Sequence, residues 1–111
     1  MKESELTEVE LSAIIIESSE SLSSVAENAG KHFTADIAPE VHTKGDKRGL
    51  LQIVSILLDN AVKNCDDGGT IAIRLESRSR GKDTKVIVSI TYVDGNDVNT
   101  FQFFERFYCQ D

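Results

Sequence analysis

Apolar residues recur at near-helical spacing from Leu6 to Asn28. Val9, Ile14, Ile15, Leu22, Val25 and Ala26 form an interrupted stripe that predicts a helix. Ser18, Ser19, Ser21, Ser23 and Ser24 lower its propensity but suit a solvated face. Gly30 is placed to stop it. Phe33 to Ile37 alternates as a short strand that Pro39 closes, and Val41 to Lys44 predicts a second brief extended piece. Asp46 stands where a carboxylate would cap the next helix, predicted from about Lys47 to Cys65. Leu50, Leu51, Ile53, Val54, Ile56, Leu57 and Leu58 make that helix apolar on more than one side, so it is expected to be the most buried one. Asp66-Asp67-Gly68-Gly69 breaks it with turn residues.

The period then changes from helical to two. Thr70 to Ser77 and Thr84 to Val93 alternate apolar and polar, the signature of half-buried strands, with a charged hairpin loop from Arg78 to Asp83 between them. Asp94-Gly95-Asn96-Asp97 reads as a turn, after which Phe101, Phe103, Phe104, Phe107 and Tyr108 crowd the end of the sequence. The order αβαββ with terminal aromatics fits an α+β two-layer sandwich, with helices on one face of a mixed sheet.

Composition narrows the function. With 111 residues the chain reads as one domain, residues 1–111, large enough for a two-layer core. A net charge of -7 opposes a nucleic-acid surface, which would need a basic stripe, and opposes docking on an anionic membrane. No run approaches a transmembrane length, and Met1-Lys2-Glu3-Ser4-Glu5 is too acidic for a signal peptide. Cys65 and Cys109 have no metal-ligand spacing, and a reduced pair is the default reading.

The most informative stretch is Leu57-Leu58-Asp59-Asn60-Ala61-Val62-Lys63. Asn60 and Lys63, three apart, share a helix face, while Leu57, Leu58 and Ala61 anchor it in a core. An amide oxygen suits a hard cation such as Mg2+, and a lysine suits phosphate as a compact point charge. On these residues alone, a Mg-nucleotide site and an ordinary polar stripe are both open.

The stretch resembles the N-box, LLxNAxK, of the sensor histidine kinase ATP-binding domain, the Bergerat or GHKL fold. Further matches occur in that family's order. Gly45-Asp46-Lys47-Arg48 with Leu50-Leu51-Gln52-Ile53-Val54 resembles the entry into the N-box helix. Gly68-Gly69-Thr70-Ile71-Ala72-Ile73 is similar to the GGxIxI opening of the central hairpin. Phe104-Glu105-Arg106-Phe107-Tyr108 matches the F-box, FERFY. The likeness runs from about Glu8 to Asp111.

The resemblance implies a Bergerat-type sandwich, its sheet mixed and mostly antiparallel. It implies ATP and Mg2+ as cofactors, with Asn60 as the Mg2+ ligand and Lys63 on a phosphate. Asn64 follows where a nucleotide-contacting residue often sits, Asp94 is the nearest carboxylate for adenine, and Arg106 offers a phosphate contact from the F-box side. The implied activity is phosphoryl transfer from Mg-ATP to a histidine on a separate segment, within a two-component system in the bacterial cytoplasm. The implied partners are a phosphoacceptor-histidine dimerisation domain and a response regulator.

The chain also departs from the family. One turn before Asn60 the family places Asn or Glu, and relatives that hydrolyse ATP use that Glu as general base; here the residue is Ile56. Tyr92 falls at the G1-box Asp that reads adenine, and Asp94 lies two residues on. The stretch from Asp94 to the F-box is short, and the ATP lid, the Gly-rich G2 box and the final helix and strands have no counterpart. His32 and His42 are in no phosphoacceptor motif. The expectation is a fragment or a degenerate copy without autonomous activity; the alternative is a pseudo-kinase interaction module. Lacking the C-terminal elements, the strand with Val86, Val88 and Ile90 is expected to present an open edge, and the chain to self-associate as a homodimer.

Overall fold

Residues 7–81 and 83–108 are described by a computed structural model, side chains at 8–81 and 84–102. The elements run β1 (Thr7–Glu10), α1 (Leu11–Asn28), β2 (His32–Ile37), β3 (His42–Gly45), α2 (Lys47–Asn64), β4 (Thr70–Arg80), β5 (Asp83–Asp94) and β6 (Asp97–Tyr108). Strands β2-β4-β5-β6 form one sheet, parallel at β2–β4 and antiparallel at the other two junctions. β1 and β3 pair antiparallel as a separate ribbon.

The alternation along β4 and β5 sorts the sheet into two faces. Ile71, Ile73 and Leu75 with Val86, Val88, Ile90 and Tyr92 are buried together with residues of both helices. The other face is mostly polar, although Ile87 is buried there. There Arg74 meets Asp36 at 3.6 Å and Glu76 at 3.4 Å, and Gln102 Nε2 donates to Ser89 at 3.1 Å. One dry face under two helices and one wet face make the expected α+β two-layer sandwich on a mixed, mostly antiparallel sheet.

Both helices depart from their predicted character. α1 begins at Leu11, not Leu6, because Thr7–Glu10 pairs with β3. The first helical N–H groups find a backbone acceptor: Leu11 and Ser12 donate to the Val41 carbonyl at 2.7 and 3.4 Å. Ser12 Oγ closes the junction, donating to Ala38 O at 2.7 Å and accepting from Val41 N–H at 2.8 Å. At the far end Lys31 N–H bonds Ala26 O and Gly30 N–H bonds Glu27 O, with Gly30 at φ 80°, so glycine stops the helix as a Schellman motif.

α2 is the less buried helix, against expectation. Val54, Leu58, Ala61 and Val62 are buried, whereas Ile53 and Ile56 are 48% and 58% exposed and Leu57 is half-buried. It buries a single stripe, and its second apolar side faces solvent. Asp46 occupies the N-cap position but its side chain makes no capping hydrogen bond.

The predicted charged loop at 78–83 is strand on both sides. β4 runs to Arg80 and β5 starts at Asp83, with Gly81 at φ 63° in the turn. β5 is also not an open edge, since β6 pairs with it from Asp83↔Tyr108 to Asp94↔Asp97. The F-box residues therefore lie on a sheet strand. The side chains of Phe103 to Tyr108, Arg106 included, lie outside the described residues, as does Cys109.

Candidate functional site

α2 runs alongside β5 in the same sense. Near its start Leu50 and Ile53 share a cavity with Val86 and Val88. Past its end Asp66 N–H bonds Val93 O at 2.9 Å. Asn60, Lys63 and Asn64 therefore lie at the end of the sheet where β5 turns into β6. The Asp66 carboxylate fixes the junction by accepting from Gly95 N–H at 2.9 Å. Gly95 takes φ 68°, a left-handed conformation that suits glycine at this turn. Lys31 adds a cation at the helix C-terminus, its Nζ donating to Val62 O, where the macrodipole favours positive charge.

Along this last stretch of α2 the core side is apolar, with Leu58, Ala61 and Val62 buried. The outer side carries two (i, i+4) pairs. Asn64 Nδ2 donates to Asn60 Oδ1 and to Asn60 O, each at 2.9 Å. Lys63 Nζ lies 3.2 Å from Asp59 Oδ2, with both side chains largely exposed. Asn60 and Lys63 do share an outward region, but each is engaged by a neighbour on its own helix. The amide oxygen suited to a cation already accepts a hydrogen bond.

Asp94 is exposed on the far side of this junction, at the last residue of β5. Tyr92, at the expected position of the adenine-reading acid, is 6% exposed and stacks on Phe101, ring centroids 6.0 Å apart. A buried tyrosine stacked on a partly exposed phenylalanine thus stands where the resemblance places a carboxylate. Among the described residues no cluster of three or more His, Cys, Asp and Glu could hold a metal. The cavity of about 270 Å³ at Leu11, Gly45, Asp46, Gly49, Leu50 and Ile53 lies at the opposite end of α2. Leu50 and Asn60 are about 15 Å apart along the helix axis, so the cavity is separate from the region of Asn60 and Lys63.

No family model and no curated protein matches the chain. Solved structures do. The catalytic domain of histidine kinase ThkA superposes with a TM-score of 0.64 at 20% identity over 80% of this chain. The chain has the fold of a histidine kinase catalytic domain. The cytoplasmic segment of histidine kinase QseC matches with a TM-score of 0.64 at 22% identity over 79% of the chain. Mycobacterial sensor histidine kinase MprB matches with a TM-score of 0.61 at 24% identity over 76%. The chain spans 60%, 55% and 53% of the ThkA, QseC and MprB chains. At these identities the likeness is one of fold. It puts the kinase catalytic architecture behind the N-box resemblance and leaves the use of Asn60 to its local geometry.

Three residues that organise the junction were not singled out from sequence. Asp59 could have been found from its i, i+4 spacing to Lys63. Asp66 and Lys31 act across the fold on Gly95 and Val62, and no local pattern signals such contacts.

Proposed function

We propose that this chain is the ATP-binding catalytic domain of a two-component sensor histidine kinase in degenerate form, acting in the cytoplasm. It retains the phosphate side of the nucleotide site and has lost the adenine side. The observation that carries this reading is the placement of Asn60 and Lys63 on the outer side of α2, beside the β5–β6 turn of a kinase-type fold.

The phosphate side fits Mg-ATP. Mg2+ is commonly held by one or two carboxylates with substrate phosphates and waters completing the shell; here the neutral Asn60 Oδ1 would be the protein ligand, leaving the phosphates to supply the charge. Lys63 would leave Asp59 for a phosphate, a modest loss because exposed pairs contribute about 0–1 kcal/mol. Asn64 would have to rotate off Asn60, whereas Arg106 lies opposite Lys85, at the end of β6 away from the β5–β6 turn, and takes no part. Bound Mg-ATP would supply the phosphoryl group, and the protein's part would be positioning and charge stabilisation. ThkA is known in complex with response regulator protein TrrA, and ShkA, of the same fold, with AMPPNP. By that likeness the partners would be a response regulator and a phosphoacceptor-histidine segment.

The adenine side does not fit. Tyr92 is packed on Phe101 and offers no carboxylate, and Asp94 is exposed. A missing hydrogen-bond partner for a substrate NH2 costs orders of magnitude in discrimination. Weak binding with little preference among purine nucleotides is expected. Calorimetric titration with Mg-ATP and Mg-GTP, repeated on Asn60→Ala, tests this. Weak, similar affinities that fall in the variant support it; micromolar, adenine-selective affinity contradicts it.

The second reading is a pseudo-kinase module kept for protein contact. It is favoured by the closed Asn60–Asn64 pair and the Tyr92–Phe101 stack, which leave both halves of the site internally satisfied. No response to any Mg-nucleotide would select it.

A further inference from the structure

We propose that Phe101 is a stacking platform for a nucleobase, so that the chain takes Mg-nucleoside triphosphates of any base through the π-face and not through a hydrogen bond to adenine. The proposal rests on the reading that Asn60 and Lys63 hold the phosphate side. Register places the ring. Phe101 stands opposite Ile90 in the β5–β6 ladder, and directly opposite residues share a face of the sheet. Ile90 is 0% exposed beneath the helices, so Phe101 belongs to the helix-bearing face, yet it is 37% exposed. The buried Tyr92 ring supports it, 26° from coplanar.

The ring is level with Asn60. Leu50 and Ile53 share a cavity with Val86 and Val88, which sets α2 against β5 at that point. From Leu50 to Asn60 the helix advances about 15 Å. From Val86 to Ile90 the strand advances about 13 Å in the same sense. Asn60 lies two turns beyond Ile53, on the flank of α2 that faces β5, and Ile56 is a one-turn neighbour of both. Ile53 and Ile56 are 48% and 58% exposed. With Phe101 they give the approach to Asn60 two apolar sides.

The chemistry of those sides sets the ligand class. Phe101, Ile53 and Ile56 carry no acceptor for an adenine amino group, so they cannot tell adenine from another base by a hydrogen bond. They offer a π-face and apolar side chains. Every base has a π-face, and stacking on an aromatic side chain tolerates base identity. Ile56 and Tyr92, the two residues that depart from the resemblance near Asn60, then belong together. One supplies an apolar wall and the other backs the stacking ring.

Titration of the chain with the Mg2+ complexes of ATP, GTP, CTP, UTP and methyl triphosphate, which has no base, tests the proposal. Each nucleotide should bind at least about five-fold tighter than methyl triphosphate, and the four should agree within about ten-fold. Proton spectra should show the base protons of bound ATP and UTP shifted upfield by the ring. Phe101→Leu keeps the apolar bulk and removes the π-face. It should bring the nucleotides down to the affinity of methyl triphosphate and abolish the upfield shifts, with methyl triphosphate binding and the circular dichroism spectrum unchanged. Phe101→Tyr should retain both the affinity and the shifts. Methyl triphosphate binding as tightly as the nucleotides overturns the proposal and leaves the phosphate-side reading standing. Selectivity for ATP alone, or full nucleotide affinity in Phe101→Leu, overturns it in the same way. Absence of binding by all five compounds overturns both.

Discussion

Asn64 donates its side-chain N–H to the carboxamide oxygen of Asn60 across 2.9 Å, one helical turn apart at the exposed end of α2. The same N–H group reaches the Asn60 backbone oxygen at 2.9 Å. The positive end of that amide lies against the atom that would face a cation. The relation makes Asn64 a competitor for the metal and sets the first expectation.

Replacing Asn64 with alanine should strengthen Mg-nucleotide binding. A hydrogen bond of about 0.5–1.5 kcal/mol net is removed from the competing state, equivalent to roughly two- to ten-fold in affinity. Stability should fall by the same amount, about 0.5–1.5 kcal/mol, because the hydrogen bond is lost from the folded chain too. Titration of Asn64→Ala beside the parent chain gives the answer; weaker binding would mean that Asn64 contacts the ligand directly.

The burial of α2 separates neighbouring residues that the sequence treats alike. Leu58 is 0% exposed and Ile56 is 58% exposed. Leu58→Ala should cost about 2–5 kcal/mol, and Ile56→Ala within about 0.5 kcal/mol. Half-buried Leu57→Ala should fall between them. Urea unfolding of the three variants checks the order, and equal losses at Leu58 and Ile56 would misplace the buried stripe.

Three buried serines on α1 should respond in opposite ways. Ser12 Oγ holds both the Ala38 carbonyl and the Val41 N–H, so Ser12→Ala strands a buried N–H and a part-buried carbonyl and should cost about 1–3 kcal/mol. Ser18 and Ser19 bury hydroxyls that have no hydrogen-bond partner among the described residues. Their alanine variants should be neutral or stabilising, since they remove an uncompensated polar group. Thermal melts of the three single variants distinguish the classes.

The helices and the β4–β5 pair are legible in the sequence because their apolar periods differ and Gly30 and Gly68-Gly69 mark the breaks. β1 is not, although Thr7-Glu8-Val9-Glu10 alternates, because its pairing with His42–Gly45 is settled by residues far along the chain. The extent of β6 is equally non-local: a segment matching an F-box becomes a strand through its register with β5. At the site, the sequence supplies Asn60 and Lys63 and their shared outer region. It conceals their engagement by Asn64 and Asp59, which depends on side-chain rotamers, and the clamp from Asp66 to Gly95, which depends on the fold.

That clamp should be measurable. Asp66→Ala removes the acceptor for Gly95 N–H and should cost about 0.5–1.5 kcal/mol, the bond being exposed. Its clearest signature is local. Exchange of the Gly95 amide should accelerate while amides of Ile73 and Ile90 in the central strands keep their protection; uniform acceleration would indicate global destabilisation instead.

The central claim, a nucleotide site reduced to its phosphate side on α2, is tested most directly by nitrogen-15 correlation spectra recorded while Mg-AMPPNP is titrated into the chain. The expected response is a fast-exchange shift of the Asn60 and Asn64 side-chain amide signals and of backbone signals near Lys63 and Gly95, dependent on Mg2+ and absent in Asn60→Ala. Spectra in which those signals stay fixed, or in which shifts gather around the cavity at Leu50 and Val88, would contradict it.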